Sequence, residues 1–223
     1  VFEYGKIKGV EVLPWNYYSF VATDFGTELR RIVEEKKADY VWLRGGAAQV
    51  AAIMKDVVRL GYKDRAKWII TYFSLDPVVA KIAGKDVMEG VYGLNSDAGM
   101  PTDKGWGIDL AKKLFKKYRK KGDLSQLYIT GIHVAMLAHE SVKRALLEVG
   151  DPKKLTGKGI IDKYYTIKDL DLGNISPRAT ITYPNPAMMS KIRMVQWQKD
   201  GSIIPITDWI DVPWIYGNPN FKH

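Results

Sequence analysis

The most suggestive chemistry in this sequence lies in the stretch YVWLRGGAAQV, residues 40–50, where an apolar run meets two glycines. Gly45 and Gly46 let the backbone approach a ligand closely, because glycine has no side chain. A helical pattern begins at once at Ala47, and the N–H groups of a first helical turn favour an anion such as a carboxylate. The residues alone leave two readings open, a contact with a small anion or a tight strand-to-helix turn without a ligand.

This glycine turn does not match the common nucleotide-binding turns. A dinucleotide-binding turn requires the spacing G-x-G-x-x-G, whereas the sequence here reads GGAAQV. A P-loop requires Gly-Lys-Ser/Thr after its last glycine, and no such residues follow. The spacing therefore excludes both kinds of phosphate site.

Catalytic and metal-binding patterns are not found in the sequence. There are no cysteines, so thiolate nucleophiles, disulfides and cysteine metal sites are excluded. His133 and His139 are six positions apart and do not share a helix face as an i, i+4 metal pair would, so we interpret them as core or surface residues. No G-x-S-x-G elbow occurs. We expect no enzyme activity, no cofactor and no metal.

Aromatic residues lie beside the ends of two predicted strands. Trp15 and Tyr17 belong to the loop PWNYYSF after the first, and Tyr72 and Phe73 end another. Ligands of an open parallel sheet bind outside the carboxyl ends of its strands. These aromatics and the glycine turn therefore predict a crevice for a small organic ligand with an anionic group. The alternative is that the aromatics cover loop backbone and the edges of the core.

The elements that must position these residues alternate in the first half of the chain. Apolar runs predict strands at residues 10–13, 40–43, 67–71 and 89–94, with amphipathic helices between them. Thr23 or Asp24 is expected to cap the first of these helices, and Pro77 falls in the first turn of the third. The pattern predicts an α/β fold with a parallel sheet covered on both faces.

The second half has a different character. A polar link follows Leu94, and helical patterns then cover residues 103–121, 124–149 and about 155–165 without an intervening strand. A strand is predicted near 179–183, and a hairpin turns at Asp200-Gly201. We expect the helices to pack on a sheet that lies outside this chain. The first residues also resemble the last turn of a helix, so we expect the beginning to be missing.

Composition is that of an ordinary globular protein, with 46% hydrophobic and 26% charged residues among 223. No run reaches the roughly 18 apolar residues that a membrane span requires. The formal net charge is +9, and residues 112–122 alone contain seven lysines and arginines. Exposed aromatics are not interleaved with them, so we interpret the run as a solvated helix face and expect no nucleic-acid partner.

Four segments, in this order, resemble type I periplasmic substrate-binding proteins, and most closely the receptors of branched-chain amino acid ABC transporters. They read DYVWLRGGAAQVAAIMKDVVRLGY, ITYFSLDPVVAKIAGKDVMEGVYG, YITGIHVAMLAHESVKRA and DLGNISPRATITYPNP with the hairpin after it. The resemblance implies a Rossmann-like lobe of a two-lobed fold, plus helices and a β-hairpin from the second lobe and the hinge. Such receptors close on a solute and signal a membrane permease.

The resemblance also implies a division of the chain. Residues 1–91 would belong to the C-terminal lobe, 92–175 to the hinge crossing and N-terminal-lobe helices, and 176–223 to the hinge return and the hairpin. The hinge would lie at Tyr92, Leu94 and Ser96. The sheet of the N-terminal lobe would be encoded upstream, because two full lobes need roughly 250–350 residues.

Family members often contact ligand at the turn matching Gly45, Gly46 and Ala47 and at the strand end matching Tyr72 and Phe73. Tyr128 is implied as a further contact. Amino-acid receptors usually offer a carboxylate near the second place, where this chain has Tyr-Phe-Ser. The resemblance thus implies a periplasmic or extracellular importer receptor for an amino acid or an aromatic or aliphatic acid. A ligand-sensing regulatory domain and an α/β enzyme with catalytic residues elsewhere are the alternatives.

Overall fold

Six strands form one mixed sheet in the computed structural model, which describes residues 2–19, 21–96, 98–119, 121–181 and 191–212. The strands are β1 (Tyr40–Leu43), β2 (Lys67–Thr71), β3 (Tyr92–Asn95), β4 (Lys191–Trp197), β5 (Ile203–Pro205) and β6 (Ile210–Asp211). β1, β2 and β3 are parallel, whereas β4 runs antiparallel to β3, β5 and β6. The α/β fold, three of the four strands predicted in the first half and the hairpin at Gly201 are confirmed; β6 was not predicted.

The helices follow the predicted order. They are α1 (Phe2–Ile7), α2 (Gly26–Arg30), α3 (Ala47–Arg59), α4 (Pro77–Ala83), α5 (Lys85–Met88), α6 (Trp106–Tyr118), α7 (Gln126–Val149) and α8 (Gly157–Tyr164). A π-helical turn, Arg31–Glu35, extends α2, and short 3-10 turns cover Tyr72–Ser74 and Pro152–Lys154. Local caps fix the ends: the Asp76 carboxylate accepts from the Val78 N–H at the start of α4, and Gly61 ends α3 at φ +72°.

One hydrophobic cluster lies between the sheet and helices α2 to α5. Leu43 and Ile70, which pair across β1 and β2, contribute to it from the sheet, and Met54 and Val79 contribute from α3 and α4. Successive strands are added in one direction, so right-handed crossovers place α3 and α4 on the same face. This cluster fixes the strand ends that carry the glycine turn and the Tyr72–Phe73 pair.

The opposite face of the sheet is exposed at β1 in the described residues. Tyr40 and Trp42, which alternate with buried residues of β1, are 70% and 47% exposed. Trp15 packs on Trp42 with ring centroids 6.2 Å apart. Coverage of both faces, as predicted, is therefore not seen at the edge strand β1 among the described residues.

The predicted strand at residues 10–13 is also wrong. The Val10 N–H donates to the Gly5 carbonyl at 2.8 Å, so the segment folds back on α1 instead of joining the sheet. A Cβ on Gly5 would lie 2.5 Å from Val12 Cγ2, so only glycine permits this approach. An alternating apolar pattern shows that a segment can form a strand, but the strand forms only where a neighbouring strand is available for pairing.

A second hydrophobic cluster joins α6, α7 and the segment after α8. Ile108, Ile129 and Ile175 are fully buried in it. The chain enters this cluster at Ala98, directly after β3, and Ile181 is the last described residue within it before β4 returns to the first cluster. The predicted strand at 179–183 falls partly outside the described residues, and Ala179 forms an isolated bridge with Leu170. None of the described helices is long and apolar enough to cross a membrane.

Candidate functional site

The glycine turn opens directly into α3. Gly46 is the N-cap residue in an extended conformation, at φ −75° and ψ 167°, and no side chain caps the helix. The first bond back along the helix runs from the Val50 N–H to the Gly46 carbonyl at 3.0 Å. Among the described residues, no hydrogen-bond acceptor is found for the N–H groups of Ala47 and Ala48. These donors can receive an anion, as the first turn of an uncapped helix allows.

The turn after β2 lies beside the glycine turn. β1 and β2 are parallel neighbours with Leu43 paired to Ile70, so their carboxyl ends meet at the same edge of the sheet. The Ser74 hydroxyl donates a hydrogen bond to the Gly45 carbonyl. Ser74 is fully buried, and its bond ties the two predicted contact regions to each other.

Tyr18 fixes the glycine turn from the other side. Its hydroxyl donates to the Arg44 carbonyl at 2.6 Å, and its ring packs edge-on against Phe25. A Cβ on Gly45 would lie 2.3 Å from the Tyr18 hydroxyl oxygen, so this contact requires glycine at position 45. Burial raises the pKa of Tyr18, which keeps the phenol protonated as a donor. Sequence reasoning did not select Tyr18, because nothing in PWNYYSF tells which of two adjacent tyrosines points inward.

An aromatic pair and a cation form the outer wall of this edge. The Tyr72 and Phe73 rings stack at 4.1 Å, and the Arg44 guanidinium lies 5.8 Å from the centre of the Phe73 ring. Phe73 is 44% exposed, so the wall faces solvent. Apolar surface beside a positive charge and free amide donors suits a solute with an apolar body and an anionic end.

Three other predicted contacts are not joined to this turn by any hydrogen bond, ion pair or ring contact among the described residues. Trp15 packs on Trp42, and Tyr17 is 86% exposed. Tyr128, in the first turn of α7, packs edge-on against Phe115 at 5.1 Å in the second cluster. The compact group at the sheet edge therefore consists of the glycine turn, the Tyr72–Phe73 pair and Tyr18.

The predicted hinge residues lie where the chain changes cluster. Tyr92 and Leu94 belong to β3, and Ser96 follows it. Beyond them, Asp103 accepts from the Met100 N–H at 2.7 Å and pairs with the buried Arg193 of β4 through two hydrogen bonds, one of 3.2 Å. The Arg193 guanidinium also stacks 4.4 Å from the Trp209 ring centre. Sequence reasoning missed this pair, since 90 residues separate its members.

The histidines form no site within the described ranges. His133 is buried in α7 without a partner for either ring nitrogen, and burial lowers its pKa from 6.5 to about 4. His139 is exposed, and His223 lies outside the described residues. In the same part of the chain, no group of three acidic or histidine side chains is arranged to bind a metal ion.

The sequence profile of the periplasmic binding protein family matches residues 3–202, which is most of the chain. The chain belongs to the periplasmic binding protein family. This family consists of solute-binding proteins rather than enzymes, in agreement with the expectation from the sequence. No curated protein matches the chain.

Solved structures share the fold of this periplasmic binding protein. A branched-chain amino acid ABC transporter protein from Thermus thermophilus with bound valine is 21% identical, with a TM-score of 0.79 over 93% of this chain and 55% of its own. A fatty acid ABC transporter substrate-binding protein from Thermomonospora curvata is 17% identical, with a TM-score of 0.74 over 94% and 52%. A leucine binding protein from Thermotoga maritima is 16% identical, with a TM-score of 0.70 over 92% and 53%. The chain thus spans about half the length of these proteins, and at such identities the likeness shows the fold.

Proposed function

We propose that this chain is the C-terminal part of an ABC importer receptor that clamps a small carboxylate-bearing solute between two lobes. The observation that carries the proposal is the sheet edge at Gly46. The amide donors of Ala47 and Ala48 follow the end of β1, which the Ser74–Gly45 bond and the Arg44–Phe73 contact join to the Tyr72–Phe73 pair at the end of β2. A solute carboxylate would accept from these amides, and its apolar body would contact the rings.

The nature of the wall favours an apolar acid. The Ser74 hydroxyl donates its hydrogen bond to the Gly45 carbonyl. Asp76 is the nearest acidic residue after Phe73, and its carboxylate caps α4 by accepting from the Val78 N–H. Ser74 carries no charge and Asp76 is engaged in the cap, so no carboxylate at this edge is reserved for a solute ammonium. An aliphatic or aromatic acid therefore suits the edge at least as well as an amino acid. Of the solved structures with the same fold, one holds bound valine and another is a fatty acid transporter substrate-binding protein.

The two clusters support the proposed division into lobes. Residues 1–91 with the hairpin from 176–223 would form most of the C-terminal lobe, and the helices of 92–175 would belong to the N-terminal lobe, completed by chain outside this segment. Tyr92, Leu94 and Ser96 would act as the hinge, because the change of cluster begins directly after β3. The receptor would work outside the cytoplasmic membrane and deliver solute to a membrane permease.

Thermal-shift screening of the full-length protein tests the proposal. Amino acids and aliphatic and aromatic acids should be compared with their carboxamides, and we expect stabilisation by acids only. Tyr72→Ala should weaken affinity for the best acid by about tenfold, as expected when a ring contact of roughly 1–2 kcal/mol is lost. Tyr118→Ala, which removes an exposed tyrosine of α6, should leave affinity unchanged. Equal stabilisation by an acid and its carboxamide would contradict the carboxylate assignment.

A further inference from the structure

The positive charge of the chain is concentrated on one helix. Of the formal net charge of +9, seven charges come from residues 112–121, which contain no acidic residue. Lys112, Lys113, Lys116 and Lys117 of α6 are all exposed, and Arg119 and Lys121 follow them. We call these six residues the basic patch. The remainder of the chain is close to neutral.

The four helical lysines share one face of α6. Their spacing of i, i+1, i+4 and i+5 places them side by side, away from the buried Ala111. The edge-on contact between Phe115 and Tyr128 attaches the other side of the helix to α7. The packing of α6 therefore directs the patch outward.

The basic patch lacks the acidic partners that several other basic residues of this chain have. Across the described ranges, ion pairs form with some of the other cations, for example Arg59 with Asp56, Lys81 with Asp123 and Arg144 with Glu140. No ion pair in the same ranges involves a member of the patch. Its charge is therefore uncompensated within the described protein.

Helix stability does not account for this arrangement. Lys112 and Lys116, and likewise Lys113 and Lys117, are like-charge pairs at i, i+4, which destabilise a helix. Attraction to the helix dipole favours lysines in the last turn, which explains Lys116 and Lys117. It does not explain Lys112 and Lys113, which lie in the middle of α6.

We propose that the basic patch binds an anionic lipid bilayer surface. Lysines are depleted from the cores of protein–protein interfaces, where aromatic residues and arginine are enriched, so four exposed lysines on one helix face do not suit a specific protein partner. Clustered lysines do suit a broad layer of lipid phosphates, which needs no fixed geometry. The patch would hold the protein near the membrane independently of any solute.

Co-sedimentation of the full-length protein with lipid vesicles tests this inference. The protein should bind vesicles of phosphatidylcholine with phosphatidylglycerol, not phosphatidylcholine alone, and added salt should release it. Replacing Lys112, Lys113, Lys116 and Lys117 by glutamine should weaken binding by about tenfold or more. Replacing the same four by arginine should preserve binding, which separates loss of charge from loss of structure.

A matched control removes the same charge elsewhere. Lys153, Lys154, Lys168 and Lys199 are exposed, and no ion pair in the described residues involves them, so their replacement by glutamine should leave vesicle binding nearly unchanged. Equal weakening in both quadruple variants would overturn the proposal, since net charge alone would then explain binding. Binding to polyglutamate without binding to acidic vesicles would also overturn it, in favour of an acidic polypeptide.

Discussion

The buried hydroxyl of Ser74 donates to the carbonyl of Gly45 and so joins the ends of two neighbouring parallel strands. Ser74→Ala would leave that carbonyl without this partner. We expect the free energy of unfolding to fall by about 1–2 kcal/mol, with a loss of solute affinity because the glycine turn is less well fixed. Urea unfolding and a binding titration measure the two effects. Ser141→Ala, which removes a buried hydroxyl bonded to Leu137 in α7, should not change affinity.

The two glycines of the turn should respond differently to alanine. At Gly45, a Cβ would lie 2.3 Å from the Tyr18 hydroxyl, so Gly45→Ala must displace Tyr18 from Arg44. At Gly46, a Cβ would meet only the end of the flexible Gln49 side chain. We expect Gly45→Ala to lower the free energy of unfolding by about 1–3 kcal/mol and Gly46→Ala to change it by less than about 1 kcal/mol. If thermal denaturation showed the same loss for Gly45→Ala and Gly46→Ala, Tyr18 would not be what restricts position 45 to glycine.

Breaking the Asp103–Arg193 pair should cost far more than breaking an exposed pair. Asp103→Asn leaves the buried Arg193 guanidinium without its charge partner, which we expect to lower the free energy of unfolding by about 3–5 kcal/mol. Asp162→Asn removes the exposed partner of Lys158 and should cost less than about 1 kcal/mol. Chemical denaturation of both variants gives the comparison, and similar losses would show that the Asp103 pair is not isolated from water.

Stability should depend on pH through His133. Burial lowers its pKa in the folded chain to about 4, below its ordinary value of 6.5. Between those values the unfolded chain binds a proton that the folded chain does not. The free energy of unfolding is therefore highest, as far as His133 determines it, above about pH 6.5. It falls by on the order of 3 kcal/mol as the pH drops towards 4.

Urea unfolding between pH 4 and 7 measures this loss. His133→Gln should flatten the dependence, while His139→Gln, at an exposed position, controls for the loss of one imidazole. Parallel curves for the unaltered chain and His133→Gln would exclude His133 as the titrating group.

Local sequence signals predicted much of the fold. Features that depend only on neighbours in sequence could be predicted. They are the apolar runs at β1, β2 and β3, Pro77 in α4, Gly61 after α3 and the turn at Gly201. The segment at 10–13 was misread because its outcome depended on Gly5, whose missing side chain lets the segment fold back on α1. An apolar pattern indicates which secondary structure a segment can form, whereas tertiary packing decides whether it pairs with the sheet.

The sequence predicted site residues only where the order of the strands determines their position. Parallel order alone places the ends of β1 and β2 together, which brings Gly45 beside Ser74 and the aromatic pair. Tyr18 and the Asp103–Arg193 pair depend on side-chain orientation and on contacts between distant parts of the chain, and neither has a periodic signature. Sequence spacing therefore located the edge but not the residues that fix it.

The strand order leaves β1 at the rim of the sheet, paired with β2 alone in the described residues. In a parallel strand, alternate backbone amides point to either side, so half of the β1 amides point away from β2. These amides will exchange with solvent deuterium rapidly unless another strand pairs with them. Their exchange rates in the full-length protein would therefore show whether another strand pairs with β1.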